Sequence, residues 1–329
     1  MNQLDPTAVL TDALQRAVAQ AVLAPSSHNS QPWLFRVRGA TLDLYADRSR
    51  ALPIADPEGR EHVMSCGAAL FHLRAALRTQ SLDLSVRRLP EPADPALLAR
   101  VMVRPGRPLT PEERVLAEAI PTRHTSRAPY MGITLPEEFI TRIRRDAEAE
   151  GAWLVALTSE AARLDLIALV MEGDHQQLGD PNYRRELASW MRPNHSKARD
   201  GLFGFTDGLD NIASHLAPLA TRLLDRSARE SVHDRDLVNT TPTVVILCTG
   251  FDTPLDWLRA GESLDRVLLR AVTEDVQVSY LNQPVQVAEL RPRLRELAGG
   301  VGYPQAVLRL GYGPAGRATP RRALGDVLR

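Results

Sequence analysis

Stretches with helical periodicity and stretches with strand periodicity follow one another irregularly along this chain, and no strand–helix–strand unit repeats. That pattern argues against a regular parallel array and for an α+β fold, a mixed β-sheet covered by helices. Residues 11–23 read as a helix that places Leu14, Val18 and Val22 in line with Leu10, and Pro25 ends it. Trp33, Phe35 and Val37 then alternate with Leu34, Arg36 and Arg38, Gly39-Ala40 turns the chain, and Leu42 and Leu44 flank Asp43, which is a hairpin pattern. Residues 61–78 form a helix with Gly67, Ala68, Ala69, Ala75 and Ala76 on it, small enough for close approach to another helix. A strand follows at 81–87. The dense prolines between Pro90 and Pro111 read as a connection into a second half. In that half, helices are expected at 137–150, 161–177 and 256–272, and strands at 153–157, 243–248 and 305–310. A chain of 329 residues exceeds what one small core holds, so two halves are expected, at 1–105 and 106–329.

Forty basic residues balance forty acidic ones, so the formal net charge is zero and no strongly basic face for nucleic acid is expected. Lys197 is the only lysine, and an anion site must therefore use guanidinium groups, backbone N–H groups or histidine. Cys66 and Cys248, set in apolar stretches, make neither a disulfide framework nor a metal site, and buried, unreactive thiols are expected. Residues 1–6 lack the basic and apolar regions of a signal peptide, and apolar runs such as 166–171 are too short for a bilayer. A soluble, cytoplasmic protein without a membrane segment is the expectation.

Four motifs could carry chemistry. Residues 24–33 (Ala-Pro-Ser-Ser-His-Asn-Ser-Gln-Pro-Trp) combine two rigid prolines with hydroxyl, imidazole and amide groups. They suit the edge of a planar heterocycle as well as they suit a helix stop and cap. Thr122-Arg123-His124-Thr125-Ser126-Arg127 has the donors of a phosphate clamp, against the commoner solvated basic turn. Arg317 to Arg322 offers a second basic, hydroxylated cluster or a charged tail. Gly311-Tyr312-Gly313-Pro314-Ala315-Gly316 matches a dinucleotide fingerprint, but Pro314 interrupts it and too little chain follows for a helix and a strand, so it reads as a glycine-rich turn. Residues 193–221 mix glycine, polar groups and aromatics over a long span. A lid over a ligand and a surface insertion are equally compatible with that composition.

Taken in order, these motifs resemble the FMN-binding elements of the nitroreductase family. Residues 24–33 are similar to its Pro-Ser-Ser-x-Asn-x-Gln-Pro-Trp signature, and Arg123 to Arg127 to its basic phosphate motif. Gly302-Tyr303-Pro304 with Arg321-Arg322 resembles its closing strand and basic element. With Pro242-Thr243-Val244-Val245, the whole chain looks most like the Acg-like branch, in which two nitroreductase-like halves are fused into an intramolecular pseudo-dimer. The resemblance implies one composite FMN site per chain. Pro25, Ser26, Ser27, Asn29 and Gln31 would line the ring edge, and Arg123, Thr125, Arg127 and Arg321 would hold the phosphate and ribityl end. Leu281, Asn282 and Gln283 stand where the family has a Pro-x-Glu-Gly turn, with Asn-Gln replacing Glu-Gly. It further implies an NAD(P)H-dependent oxidoreductase passing hydride through flavin N5 to a nitroaromatic or quinone-like acceptor, with no catalytic side chain and no metal, because the cofactor carries the chemistry. The alternative is a protein that sequesters FMN under a lid with little turnover. The chain would act as a monomer, with further association open.

Overall fold

The computed structural model describes residues 6–224 and 241–329. Helix α1 (Pro6–Ala21) buries Leu14, Ala17, Val18 and Ala21, spaced three or four apart as a helix face requires. After it come the hairpin β1 (Trp33–Arg38) and β2 (Thr41–Ala46), helix α2 (Arg60–Thr79), and strands β3 (Leu82–Arg88) and β4 (Leu97–Pro105). They make a four-stranded sheet in the order β1-β2-β4-β3, antiparallel throughout. Strand β4 corrects the sequence reading, which took residues 90–111 as a connection. Ala99, Val101 and Val103 are buried while Met102 and Arg104 face outward, an alternation of period two that the surrounding prolines obscure. Pro105 is tolerated because it closes the strand.

Helix α3 (Pro111–Ala119) begins on a capping box, in which Thr110 and Glu113 satisfy each other's backbone N–H groups. Helix α4 (Glu137–Ala149), strand β5 (Trp153–Ala156), helix α5 (Glu160–Gly179) and helix α6 (Pro181–Trp190) follow. A short parallel pair, β6 (Met191–Arg192) and β7 (Leu202–Phe203), and helix α7 (Asn211–Leu223) follow, of which β7 and most of α7 fall in residues 193–221, expected to be a lid or an insertion. Strand β8 (Thr243–Thr249), helix α8 (Pro254–Val272), strand β9 (Gln277–Tyr280), the single turn α9 (Gln283–Gln286), helix α10 (Arg291–Leu297), strand β10 (Tyr303–Gly311) and the turn α11 (Leu324–Val327) complete the chain. The second sheet runs β5-β8-β10-β9, again antiparallel. The expected mixed sheet is thus resolved into two antiparallel ones within an α+β fold.

The two sheets meet through α2 and α8. Gly67 and Gly261 lie at their crossing: a Cβ on Gly67 would stand 2.2 Å from the Leu258 carbonyl oxygen, and one on Gly261 would stand 2.0 Å from that of Met64. Beside the crossing, His72 Nε2 lies 3.0 Å from the Asp265 carboxylate, both fully buried. Arg74 and Arg88 converge on Glu262, each at 2.6 Å. The tail then returns to the first sheet. Leu328 bridges Phe35 in parallel, and Val327 joins the core formed by Trp33, Phe35 and the inner face of α2. Both cysteines are free and buried, as expected, and burial pushes the Cys248 thiol up to about 12. Among the described residues no helix is long and apolar enough to cross a membrane, and no cluster of metal-ligating side chains occurs.

Candidate cofactor site

The polar element after α1 is a strained knot. His28, Asn29 and Gln31 have φ values of 54°, 51° and 51°. Such a conformation costs a non-glycine residue on the order of 1 kcal/mol and persists only where surroundings enforce it. Those surroundings are specific. Ser26 Oγ, just after the half-buried Pro25, accepts the Gln31 N–H at 2.9 Å. The fully buried Gln31 donates through Nε2 to the Arg199 carbonyl and accepts the Arg322 N–H at Oε1, both at 2.7 Å. Asn29 donates to the Pro320 carbonyl at 3.2 Å and accepts from Arg321 at 3.1 Å. Two residues expected at a ring edge therefore tie this element to the C-terminal tail and to the stretch around Arg199.

Ser27 faces another way. Its hydroxyl donates to Glu61 at 2.6 Å, and Glu61 is the centre of a network that sequence reasoning missed. This carboxylate, buried in the first turn of α2, also accepts from Arg60, from Asn282 at 3.3 Å, and from Gln286 through both oxygens at 3.0 Å. Val307 N–H donates to Asn282 Oδ1 and Gln177 to Gln286 Oε1, so both amides are fixed in orientation. The network links the Ser27 element of the first sheet to the turn after β9 of the second. Nothing in the sequence separates Glu61 from any acidic residue opening a helix, a placement that the helix dipole alone explains. Of the other two residues in the turn, Leu281 is a core residue and Gln283 points to Asp174 of α5. Burial, then Glu61, raises the nearby Asp56 carboxyl to about 6. Burial depresses His28 to about 4, and its Nδ1 is enclosed without a partner.

The basic motifs form the third wall. Arg123 is buried and Arg321 partly buried with its Nε enclosed, and both donate to the Leu23 carbonyl, at 3.4 and 3.2 Å. Arg321 is otherwise held by Asn29 and Thr319. No carboxylate pairs with either one among the described residues. Arg123 Nε and Nη1 and Arg321 Nε are buried and unpartnered. Burial and Arg123 push the Arg321 guanidinium down to about 9, and burial with both arginines lowers His124. Two guanidinium groups this close, with no carboxylate partner among the described residues, are chemically suited to an anion. Thr125 lies in the same loop, with its backbone oxygen against Gly316, where a Cβ would come within 2.4 Å. The glycine-rich turn is therefore a close-packing device beside residues 122–127.

Arg127 is not part of this pair. It is exposed, and it donates to Thr206 at 2.9 Å and Asp207 at 2.6 Å. With Arg50 bound to Asp200, and Gln31 to Arg199, residues 199–207 form a strap tied at one end to the strained element and at the other to the basic motif.

No protein-family model matches the chain. It is 32% identical over 328 residues to a Mycobacterium tuberculosis protein named "Putative NAD(P)H nitroreductase Rv3131", covering 96% of this chain and 91% of that one. To acg of the same organism, which shares that descriptor, it is 30% identical over 336 residues, covering 98% and 96%. Among solved structures, the FMN and NADPH-dependent nitroreductase NfnB from Sphigopyxis sp. strain HMH superposes with a TM-score of 0.43 at 16% identity, covering 65% of this chain and 97% of that one.

Proposed function

The chain belongs to the nitroreductase family of oxidoreductases, and from that premise we propose that it holds one FMN per chain between its two sheets and serves NAD(P)H-dependent reduction of a nitroaromatic or quinone-like acceptor. The observation that carries this reading is the enclosed Arg123–Arg321 pair, with orphaned guanidinium nitrogens and no carboxylate partner among the described residues, beside Asn29 and Thr125. These groups suit a phosphate monoester, which supplies the missing charge and accepts several N–H bonds at once.

Toward the ring end, Ser27 has given its only hydrogen to Glu61, so it faces a ligand as an acceptor and suits a ring N–H. Pro25 and Ser26 fix the edge on one side, and Asn282 closes it on the other. When bound, FMN supplies the two-electron chemistry, taking hydride from reduced nicotinamide and releasing it to the acceptor. The residues in place bind and orient; none is assigned as an acid or base. On this reading, residues 1–105 and 106–329 act as the two members of an intramolecular dimer, with the α2–α8 crossing as its interface.

A second reading, sequestration of FMN with little turnover, is favoured by the strap, whose ties run across both walls of the site. Anaerobic mixing of FMN-loaded protein with NADPH and with NADH separates the two. Rapid bleaching of the visible flavin band supports turnover. Slow or absent bleaching, with dithionite still effective, supports sequestration. Failure to bind FMN at all overturns both.

A further inference from the structure

Helix α7 is amphipathic the wrong way round. It turns Ser214, Ala217 and Thr221 inward and leaves Ile212, Leu216, Leu219 and Leu223 at 74%, 58%, 57% and 65% exposure. A surface helix ordinarily buries its aliphatic stripe and shows its polar one. Contiguous exposed apolar groups of this kind mark an interaction surface. The four residues fall at the spacing of a coiled-coil seam. Their order is also palindromic: separations of four, three and four residues read the same from either end.

We propose that α7 is the seam of a weak homodimer, in which it packs antiparallel against its own copy about a two-fold axis between Leu216 and Leu219. In that arrangement Ile212 meets the partner's Leu223, and Leu216 meets the partner's Leu219, so one patch satisfies itself. Ala213 and Ala220 lie along one flank and let the two helices approach closely. Charge supports the antiparallel sense. The exposed Asp210 opens the helix and the exposed Arg222 ends it, with no ion pair for Arg222 among the described residues. Antiparallel copies set each Arg222 opposite the other chain's Ala213, about one turn from its Asp210, and oppose the helix dipoles, whereas parallel copies stack like charges. One stripe from a helix of 13 residues is a small interface, which makes the association transient and dependent on concentration. This proposal is independent of the flavin site.

Sedimentation velocity across the micromolar to submillimolar range tests it. The wild type is expected to shift reversibly from monomer to dimer. Leu219→Glu, which alters an exposed position and keeps the circular dichroism unchanged, is expected to raise the midpoint concentration at least tenfold. For the register, Leu216→Cys and Leu219→Cys chains are mixed and oxidised with diamide; the native cysteines are buried. The mixture is expected to cross-link severalfold more than either variant alone. A monomer at every concentration overturns the proposal. So does cross-linking that favours like variants, or binding of α7 to lipid vesicles without self-association.

Discussion

Arg123 and Arg321 share a carbonyl, and no carboxylate pairs with either among the described residues, so without a bound anion the two guanidinium groups carry an electrostatic cost. Replacing a buried, unpaired charge with an apolar group of similar size is neutral or stabilising. Arg123→Met is accordingly expected to raise the urea midpoint of the apoprotein while weakening FMN binding by about 1.5–3 kcal/mol, the worth of a charge-assisted bond. Fluorescence titration and equilibrium unfolding of the same variant check both signs. Arg127 offers a contrast. Its ion pair with Asp207 is exposed, and such pairs are worth about 1 kcal/mol at most, so Arg127→Ala is expected to change FMN affinity by less than about fivefold. Two titrating groups nearby act in opposite directions. His28 is depressed to about 4 from 6.5, so the stability it contributes is complete above pH 6.5 and is lost as pH falls toward 4. Asp56 is raised to about 6 from 3.8, so its contribution is complete below pH 3.8 and is lost as pH rises toward 6. The windows overlap and largely cancel in the wild type. Asp56→Asn is expected to expose the His28 dependence as a loss of about 2 kcal/mol between pH 7 and pH 4.5, read from urea midpoints.

Among the elements, the α2–α8 crossing tolerates least change. Because the obstructing atoms at Gly67 and Gly261 are backbone carbonyl oxygens, no side-chain rotation can relieve an added methyl. Gly261→Ala is expected to cost about 3 kcal/mol or more, measured by urea unfolding, or to leave the protein unfolded. The small residues of α2 were legible in the sequence as a helix-packing face, although their partner was not. Long helices and β-branched strands were legible too, since burial repeats at their own periods. Strand β4 and helix α3 were hidden by proline density, which marks turns in general but here only flanks regular elements. In α3 the pairing of Thr110 with Glu113 was a readable start. The candidate site was legible only in part. Ser27, Asn29 and Arg123 stand out through their composition, whereas Glu61 acquires its role only because Ser27, Asn282 and Gln286 arrive around it from distant parts of the chain.

For the whole molecule, the proposed composite site draws on both sheets and the tail, so one FMN per chain is the expected stoichiometry. Absorbance of the bound flavin against protein concentration measures it, and two per chain would contradict the composite site. FMN at about a hundred times its Kd is expected to add about 2.7 kcal/mol to stability, and Arg123→Met should lose roughly half to nine-tenths of that increment at the same FMN concentration. The crossing of α2 with α8 also has a consequence in time. The glycines that meet there are roughly two hundred residues apart in the chain, and a ribosome adding about 5–20 residues per second needs roughly 10–40 s to cover that distance. Through that interval the nascent first sheet exists without the helix that covers α2, and the tail that closes its edge emerges last of all. Slow synthesis therefore prolongs exposure of an apolar surface, and chaperone demand during production should track translation speed through residues 80–260.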